Sequence, residues 1–299
     1  MKRLIVLITF VGLFFGAKPV LAQTDTLNLF SLMNNDEEIK YTTATFKTTR
    51  IINGHSIENQ AMGVMDFRIN HRFGDINGGA YEWFGLDQSN VKLCLDYSII
   101  DRLMVGIGRT NVNKTVDGYL KFKILRQSTG KRNVPVTMSY VAVSDVNTLK
   151  WQEPSRKNYF TSRLTFTHQI LIGRKFSKST SLQISPTLVH RNLVELKKYK
   201  NDVFTIGFGG RQKLNSRISV NAEYYYVFPN QIANEMKNSL CIGFDIETGG
   251  HVFQLHFTNS RGMTESQFIT QTTGNWLKGD IRFGFNISRV FTVKERKLK

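Results

Sequence analysis

The 299-residue sequence has two cysteines, five prolines and, beyond residue 22, no long apolar run. Two cysteines, Cys94 and Cys241, with no CxxC or Cys/His spacing exclude a disulfide-stapled scaffold and offer no metal-ligand pattern. Whether the two pair with each other stays open. So few prolines, with no Ser-rich or low-complexity tract and no internal repeat, leave no linker that would divide the chain, so one large domain is expected. A membrane helix needs about 20 apolar residues, and here charged or polar residues break every hydrophobic run after the first within a few positions. If this chain crosses a membrane, it does so with strands. Acidic residues are also scarce, 23 against 40 Lys and Arg, for a net charge of +17.

The one apolar run comes first. Lys2 and Arg3 precede an apolar stretch from Leu4 to Ala17, and the small residues Val20 and Ala22 precede Gln23. These are the three parts of a secretory signal, expected to span residues 1–22. No cysteine follows it, which argues against a lipid-anchored protein. Losing Lys2, Arg3 and Lys18 with the signal lowers the charge by three, from +17 to +14. In an exported chain that excess suits anionic lipid head groups or anionic solutes better than nucleic acid.

The rest of the chain is organised by a period of two. Leu240, Ile242, Phe244 and Ile246 alternate with Cys241, Gly243, Asp245 and Glu247, and after a Gly249-Gly250 turn Phe253, Leu255 and Phe257 alternate with polar residues. A polar loop of about twenty residues leads to Ile281, Phe283, Phe285 and Ile287, which oppose Arg282, Gly284, Asn286 and Ser288. The same alternation begins at Val64 and recurs along the chain to give about twelve strands, an even number as expected for an outer-membrane barrel. Loops near 74–89, 147–161, 191–202, 229–239 and 260–279 are long, whereas turns near Asp101, Gly130, Ser177, Asn215 and Gly249 are short. Long loops on one side and short turns on the other is the division between cell exterior and periplasm. A soluble secreted β-sandwich would also alternate, but its strands are shorter and its turns are not sorted by length. The expected fold is therefore all-β: an antiparallel transmembrane barrel over 63–291, preceded by an N-terminal segment at 23–62 and followed by a basic tail at 292–299.

The apolar stripe carries no Asp, Glu, Lys or Arg away from strand ends. His168 and Pro186 interrupt it, and a proline forfeits a ladder hydrogen bond. The opposite, lumen-facing stripe carries Asp66, Arg68, Lys92, Asp96, Lys121, Lys123, Glu223, Asp245 and Arg282, a candidate solute pathway with a bias toward anions. The segment from Tyr41 to Glu58 breaks the alternation. Its Lys47, Arg50, His55 and Glu58 mark it as a luminal plug or a periplasmic strap. Within it Lys47 and Arg50 would pair with Asp66, Asp96, Glu223 or Asp245 if it enters the lumen.

Catalysis has one weak foothold, Asn53-Gly-His-Ser-Ile-Glu58, where His and Ser are adjacent and Asn-Gly marks a hydrogen-bonded turn. His251 and His256 fall on opposite faces of their strand, so they make no metal pair. No cofactor, metal or catalytic residue is assigned.

Several stretches resemble a β-barrel family of the Gram-negative cell envelope defined as a domain of unknown function. They are Thr45-Phe-Lys-Thr-Thr-Arg-Ile-Ile-Asn-Gly-His-Ser-Ile-Glu58, Asp66-Phe-Arg-Ile-Asn-His-Arg-Phe-Gly74, Phe84-Gly-Leu-Asp-Gln-Ser-Asn90, Pro186-Thr-Leu-Val-His-Arg-Asn192 and Ile246-Glu-Thr-Gly-Gly-His-Val-Phe-Gln-Leu-His-Phe-Thr-Asn259. The resemblance implies an outer-membrane barrel and supplies no activity. The basic tail after Phe291 departs from barrels that stop at their last strand. The expected function is passive transport or binding of a small anionic solute. The alternatives are a structural or membrane-embedded enzymatic barrel without a pore. Outer-membrane lipid and the barrel assembly machinery are the expected partners, and the oligomeric state is left open.

Overall fold

A computed structural model describes residues 38–194, 196–249 and 251–295. The expected signal at 1–22, the start of the N-terminal segment at 23–37, Gly250 of the Gly249-Gly250 turn and the end of the tail at 296–299 lie outside the described residues.

Alternation places one stripe of each strand toward hydrocarbon, where backbone groups find no water, so every ladder must be completed by a neighbouring strand. Twelve strands meet that demand by closing on themselves. They are β2 (Val64–Asp75), β3 (Ser89–Ile100), β4 (Leu103–Thr110), β5 (Val116–Leu125), β7 (Thr137–Val146), β8 (Leu164–Lys175), β9 (Thr180–Arg191), β10 (Asp202–Lys213), β11 (Ile218–Val227), β12 (Leu240–Thr248), β13 (His251–Thr258) and β14 (Arg282–Thr292). Each pairs antiparallel with the next, and β14 returns to β2 with Asn286 opposite Asn70 and Thr292 opposite Val64. No barrel edge is left free. Two short strands stand apart: β1 (Ile39–Tyr41) pairs with β6 (Ser128–Gly130), which lies in the connection between β5 and β7.

Phe67, Leu93, Leu95, Phe122, Ile170, Phe204, Phe208, Phe244 and Phe257 project outward and are exposed, as a lipid-facing band requires. On the alternate positions Asp66, Arg68, Lys92, Asp96 and Lys121 are buried inside. His168 does sit on the outer face, where Tyr140 Oη lies 2.7 Å from its Nδ1, so the imidazole meets a polar partner. Pro186 is tolerated in β9: the β8–β9 ladder runs to Gln169↔Thr187 and resumes in the same register at Ile172↔Ile184. One boundary differs from expectation. The alternation of Val134, Val136, Met138 and Tyr140 predicts a strand from Val134, but β7 begins at Thr137, because Pro135 has no N–H to give the ladder and Val134 instead bridges Ser128.

Both ends of the barrel sheet, Val64 and Thr292, lie at the rim that carries the short turns. A cysteine at Leu277, on the long-loop side and 97% exposed, is therefore expected to react with an impermeant thiol reagent on intact cells, and one at Ser216 is not. Cys94 and Cys241, both buried, give little background. Labelling at Ser216 alone would invert the topology.

Candidate functional site

The lumen is occupied from below by a hairpin. Asn53-Gly54 makes a tight turn, with Ile51 N–H donating to Gly54 O (2.8 Å) and Ser56 N–H to Thr49 O (3.0 Å), so two short arms run antiparallel inside the barrel. A turn this tight leaves backbone groups without partners, and the wall supplies them. The N–H groups of Ile52, Asn53 and Gly54 converge on the Glu223 carboxylate at 3.2, 2.9 and 3.1 Å. The carbonyls of Thr49, Ser56 and Glu58 receive the Lys121 ammonium at 3.2, 3.1 and 2.6 Å. Arg72 donates to Asn53 Oδ1 (2.6 Å), and Gln183 both donates to His55 O (2.7 Å) and accepts from Ile57 N–H (2.9 Å). Phe46, Ile51 and Ile57 pack against Met104, Tyr119, Val141, Val143 and Leu171 of β4, β5, β7 and β8. Two glycines make room: a Cβ on Gly54 would lie 1.8 Å from Tyr225 Oη, and one on Gly209 2.2 Å from Ile51 Cδ1.

From above, the connection between β13 and β14 folds inward. The loop expected outside at 260–279 instead buries Ser260 and Met263, and every residue of a six-residue helix, α1 (Glu265–Thr270). The physical reason lies in its side chains. Phe268 and Ile269 pack on Val189, Val203, Tyr225 and Val227 of β9, β10 and β11. Gln267 donates to Val112 O (3.1 Å) and Thr115 Oγ1 (3.0 Å), and Ser266 donates to Asp145. Inside the barrel the two inserted segments meet in a buried ion pair between Arg50 and Glu265.

The structure places all nine lumen residues expected from sequence inside the barrel, most of them engaged with other protein groups. Arg68 Nη2 pairs with Asp96 at 2.6 Å, Lys92 with Asp117 at 2.8 Å and Arg282 with Asp75 at 2.7 Å. Asp66 accepts from Ser288 (2.6 Å) and Gln60 (3.1 Å), and Asp245 accepts from Gln254 (2.8 Å). Lys123 stands 3.9 Å from Glu58, whose other oxygen caps Thr45 N–H at 2.8 Å. The partners expected for the segment's cations need correction: Lys47 pairs with Glu247 and Arg50 with Glu265, rather than with Asp66, Asp96, Glu223 or Asp245. Glu223 is already filled by backbone N–H groups and Asp96 by Arg68. Among the described residues the buried cations Arg50, Arg68, Arg72, Lys92, Lys121, Lys123 and Arg282 match the buried acids Asp66, Asp96, Asp117, Asp145, Glu223, Asp245 and Glu265 in number. An anion bias therefore has no net buried charge behind it.

Sequence reading missed Arg72, Asp117, Tyr119, Asp145, Tyr225 and Glu265. The first five fall on the inward parity of strands already recognised, so reading the inward stripe along each full strand finds them. Glu265 had no such signal.

The catalytic foothold does not assemble. Neither ring nitrogen of His55 has a hydrogen-bond partner, and its ring stands edge-on to Tyr119 at 4.5 Å, while Ser56 donates to Thr48 O at 2.6 Å. Burial, then the charges of Arg50, Lys121, Arg68 and Lys92, hold the His55 pKa well below the usual imidazole range. Its Nε2, 3.5 Å from Glu265, is thus a neutral neighbour rather than an ion-pair partner. On the outer face Ser89 Oγ lies 2.7 Å from His71 Nε2, but His71 Nδ1 has no group to orient it, as a hydrolytic base requires.

A closed barrel with an exposed apolar band and a charged, filled interior is an outer-membrane architecture. The sequence profile of a family described as a membrane-bound beta barrel domain (DUF5777) matches residues 46–291. The chain belongs to this family. That match takes in the luminal hairpin almost whole, together with every strand of the barrel but the final residue of β14. The protein resides in the outer membrane, in contact with its lipid. No curated protein matches the sequence. Among solved structures the chain is similar to the NanC porin (9% identity, TM-score 0.47, covering 76% of this chain and 98% of that one). It is also similar to an outer membrane channel from Pseudomonas putida F1 (10%, 0.46, 79% and 98%) and to outer membrane phospholipase A from Escherichia coli (12%, 0.44, 81% and 97%).

The ion pair joining the two segments is open to direct measurement. Removing one partner of a buried pair typically destabilises by about 3–5 kcal/mol, because the other charge is left alone in a poor solvent. Arg50→Met and Glu265→Leu should each lower the urea midpoint of the folded, heat-modifiable form, and the double variant should recover much of the loss. Additive losses would show that the pair is not coupled.

Proposed function

We propose that this barrel is a gated conduit for small polar solutes, held closed in the conformation described here by the hairpin and the inward loop. The observation that carries this reading is the meeting of Arg50 and Glu265, which joins segments from opposite mouths of a charge-lined lumen. An interior built only to be filled can be apolar and loses little by it; desolvated charges at fourteen positions are worthwhile where water or solute has access. The buried hydroxyls of Ser139 on β7, opposite Leu171, and Thr167 on β8, opposite Val143, have no hydrogen-bond partner among the described residues and keep their hydrogen-bonding capacity.

Of the two segments, the loop is the better gate. The hairpin is tied on both sides, through β1 on β6 before it and through Gly63 N–H on Ser98 O (2.9 Å) after it. Its tip is also capped by Glu223 and its arms by Lys121. The loop's six-residue helix is held by side-chain contacts, those of Glu265, Ser266, Gln267, Phe268 and Ile269, and its N-cap Thr264 makes no side-chain cap. The competing reading, a filled scaffold, draws on the same completeness of the hairpin's hydrogen bonding.

Planar-bilayer recording separates the two. Wild-type protein should conduct rarely, and deletion of 261–272 or Glu265→Ala should give frequent steady openings. Removing residues 38–58 in addition should enlarge them. Silence from variants that retain the heat-modifiable fold would leave the scaffold. Both loop variants remove Glu265 and so leave seven buried cations against six buried acids, and their openings should show only a weak anion preference in a salt gradient. A strong anion preference would mean that opening breaks the internal pairs.

A further inference from the structure

Outside the membrane, the connection between β7 and β8 carries a cleft of about 580 Å³ that neither the conduit nor the barrel requires. Its floor is held by Arg163, whose guanidinium lies 3.7 Å from the centroid of Trp151 and donates to Asn147 O (2.7 Å) and Leu149 O (2.5 Å). With Arg163 engaged in that way, the stack is a fixed post around which the loop is built.

The rest of the lining is unequal in sign. Lys150, Arg156 and Lys157 project there with one carboxylate, Glu153, and none of the three forms an ion pair among the described residues. Exposed cations without an ion pair are common on this basic chain; what sets these three apart is that they line a single cavity. Tyr159 adds a broad aromatic face, 57% exposed, with Lys157 Nζ 5.2 Å from its ring centroid. Cations without carboxylates fit phosphate oxygens, and an exposed aromatic face fits the C–H face of a sugar ring. The cleft also has an apolar side, Leu149 and Leu193, and beside it Phe160 is 64% exposed at the extracellular end of β8. That is the level at which lipid head groups meet water.

From this combination we infer that the β7–β8 cleft binds a phosphorylated saccharide, carried on a glycolipid of the outer leaflet or free in the medium. The apolar rim favours the lipid-borne form, because a free sugar phosphate has nothing to place against Leu193 and Phe160. Lys150, Arg156 and Lys157 contact phosphate, Tyr159 lies against the sugar, and the Arg163–Trp151 stack keeps the cleft open.

The test uses full-length protein folded in phosphatidylcholine vesicles doped with lipid A, with dephosphorylated lipid A and soluble glucose 1-phosphate as separate arms. Binding is read by co-flotation for the lipids and by calorimetry for the sugar phosphate. Saturable retention of lipid A is expected, at least tenfold weaker for the dephosphorylated lipid and for the combined Lys150→Ala, Arg156→Ala, Lys157→Ala variant. These side chains are exposed, so heat-modifiable folding should be unchanged. Tyr159→Ala should weaken both phosphorylated ligands severalfold while leaving inorganic phosphate competition intact. Glucose 1-phosphate binding as tightly as lipid A would assign the site to the free solute. Equal retention of both lipids, or retention unaffected by the triple variant, would overturn the assignment, as would no binding in any arm.

Discussion

The structure depends on a single constraint, that a peptide group removed from water must find its hydrogen-bond partner within the protein. It operates twice here. On the outside it forces the strands into a closed ring, since an unpaired edge in hydrocarbon would leave a row of unsatisfied groups. Inside, it governs the hairpin, whose turn exposes three N–H groups and three carbonyls to a space where regular pairing is impossible. Glu223 collects the first set and Lys121 the second. A charged side chain can satisfy several backbone groups at once, and that multiplicity is what lets an irregular segment lie buried in a barrel.

This changes the meaning of the charged inner stripe. Glu223 and Lys121 are two of the residues that, read along the strands, look like the lining of a channel, yet here they are structural ligands of the hairpin. Others neutralise one another: Arg68 with Asp96 on the adjacent strand, and Lys92 of β3 with Asp117 of β5, reaching across β4. In the proposed conduit, residues such as Arg68, Asp96, Lys92 and Asp117 would also line the passage, so one set of side chains would answer to both the closed and the open state.

Strand number, order and face were legible because a period of two is a local property, and the cost of a charge in hydrocarbon keeps one face clean of it. Phe67, Leu95, Ile170 and Phe244 could be assigned outward from their neighbours alone. That the Tyr41–Glu58 segment stands apart from the wall was legible for the same reason, by its failure to alternate. Its partners were not. Lys47 with Glu247 and Arg50 with Glu265 are separated by 200 and 215 positions, and only the closed ring brings them together. The inward turn of the 260–272 loop was hidden because six helical residues carry too little periodicity to read, and polar residues such as Glu265, Ser266 and Gln267 look like solvent-facing loop. Pro135 was a signal in the sequence that the alternation overrode: its missing N–H moves the start of β7 from Val134 to Thr137.

The seam between β2 and β14 joins the first and last strands of the ring, and the hairpin immediately precedes β2 in the chain. Its contacts reach β5, β9, β11, β13 and β14, strands spread around the circumference. The hairpin is therefore a mandrel as well as a filling: one short piece of chain gathers strands that are remote in sequence and shortens the search for the most non-local pairing in the fold.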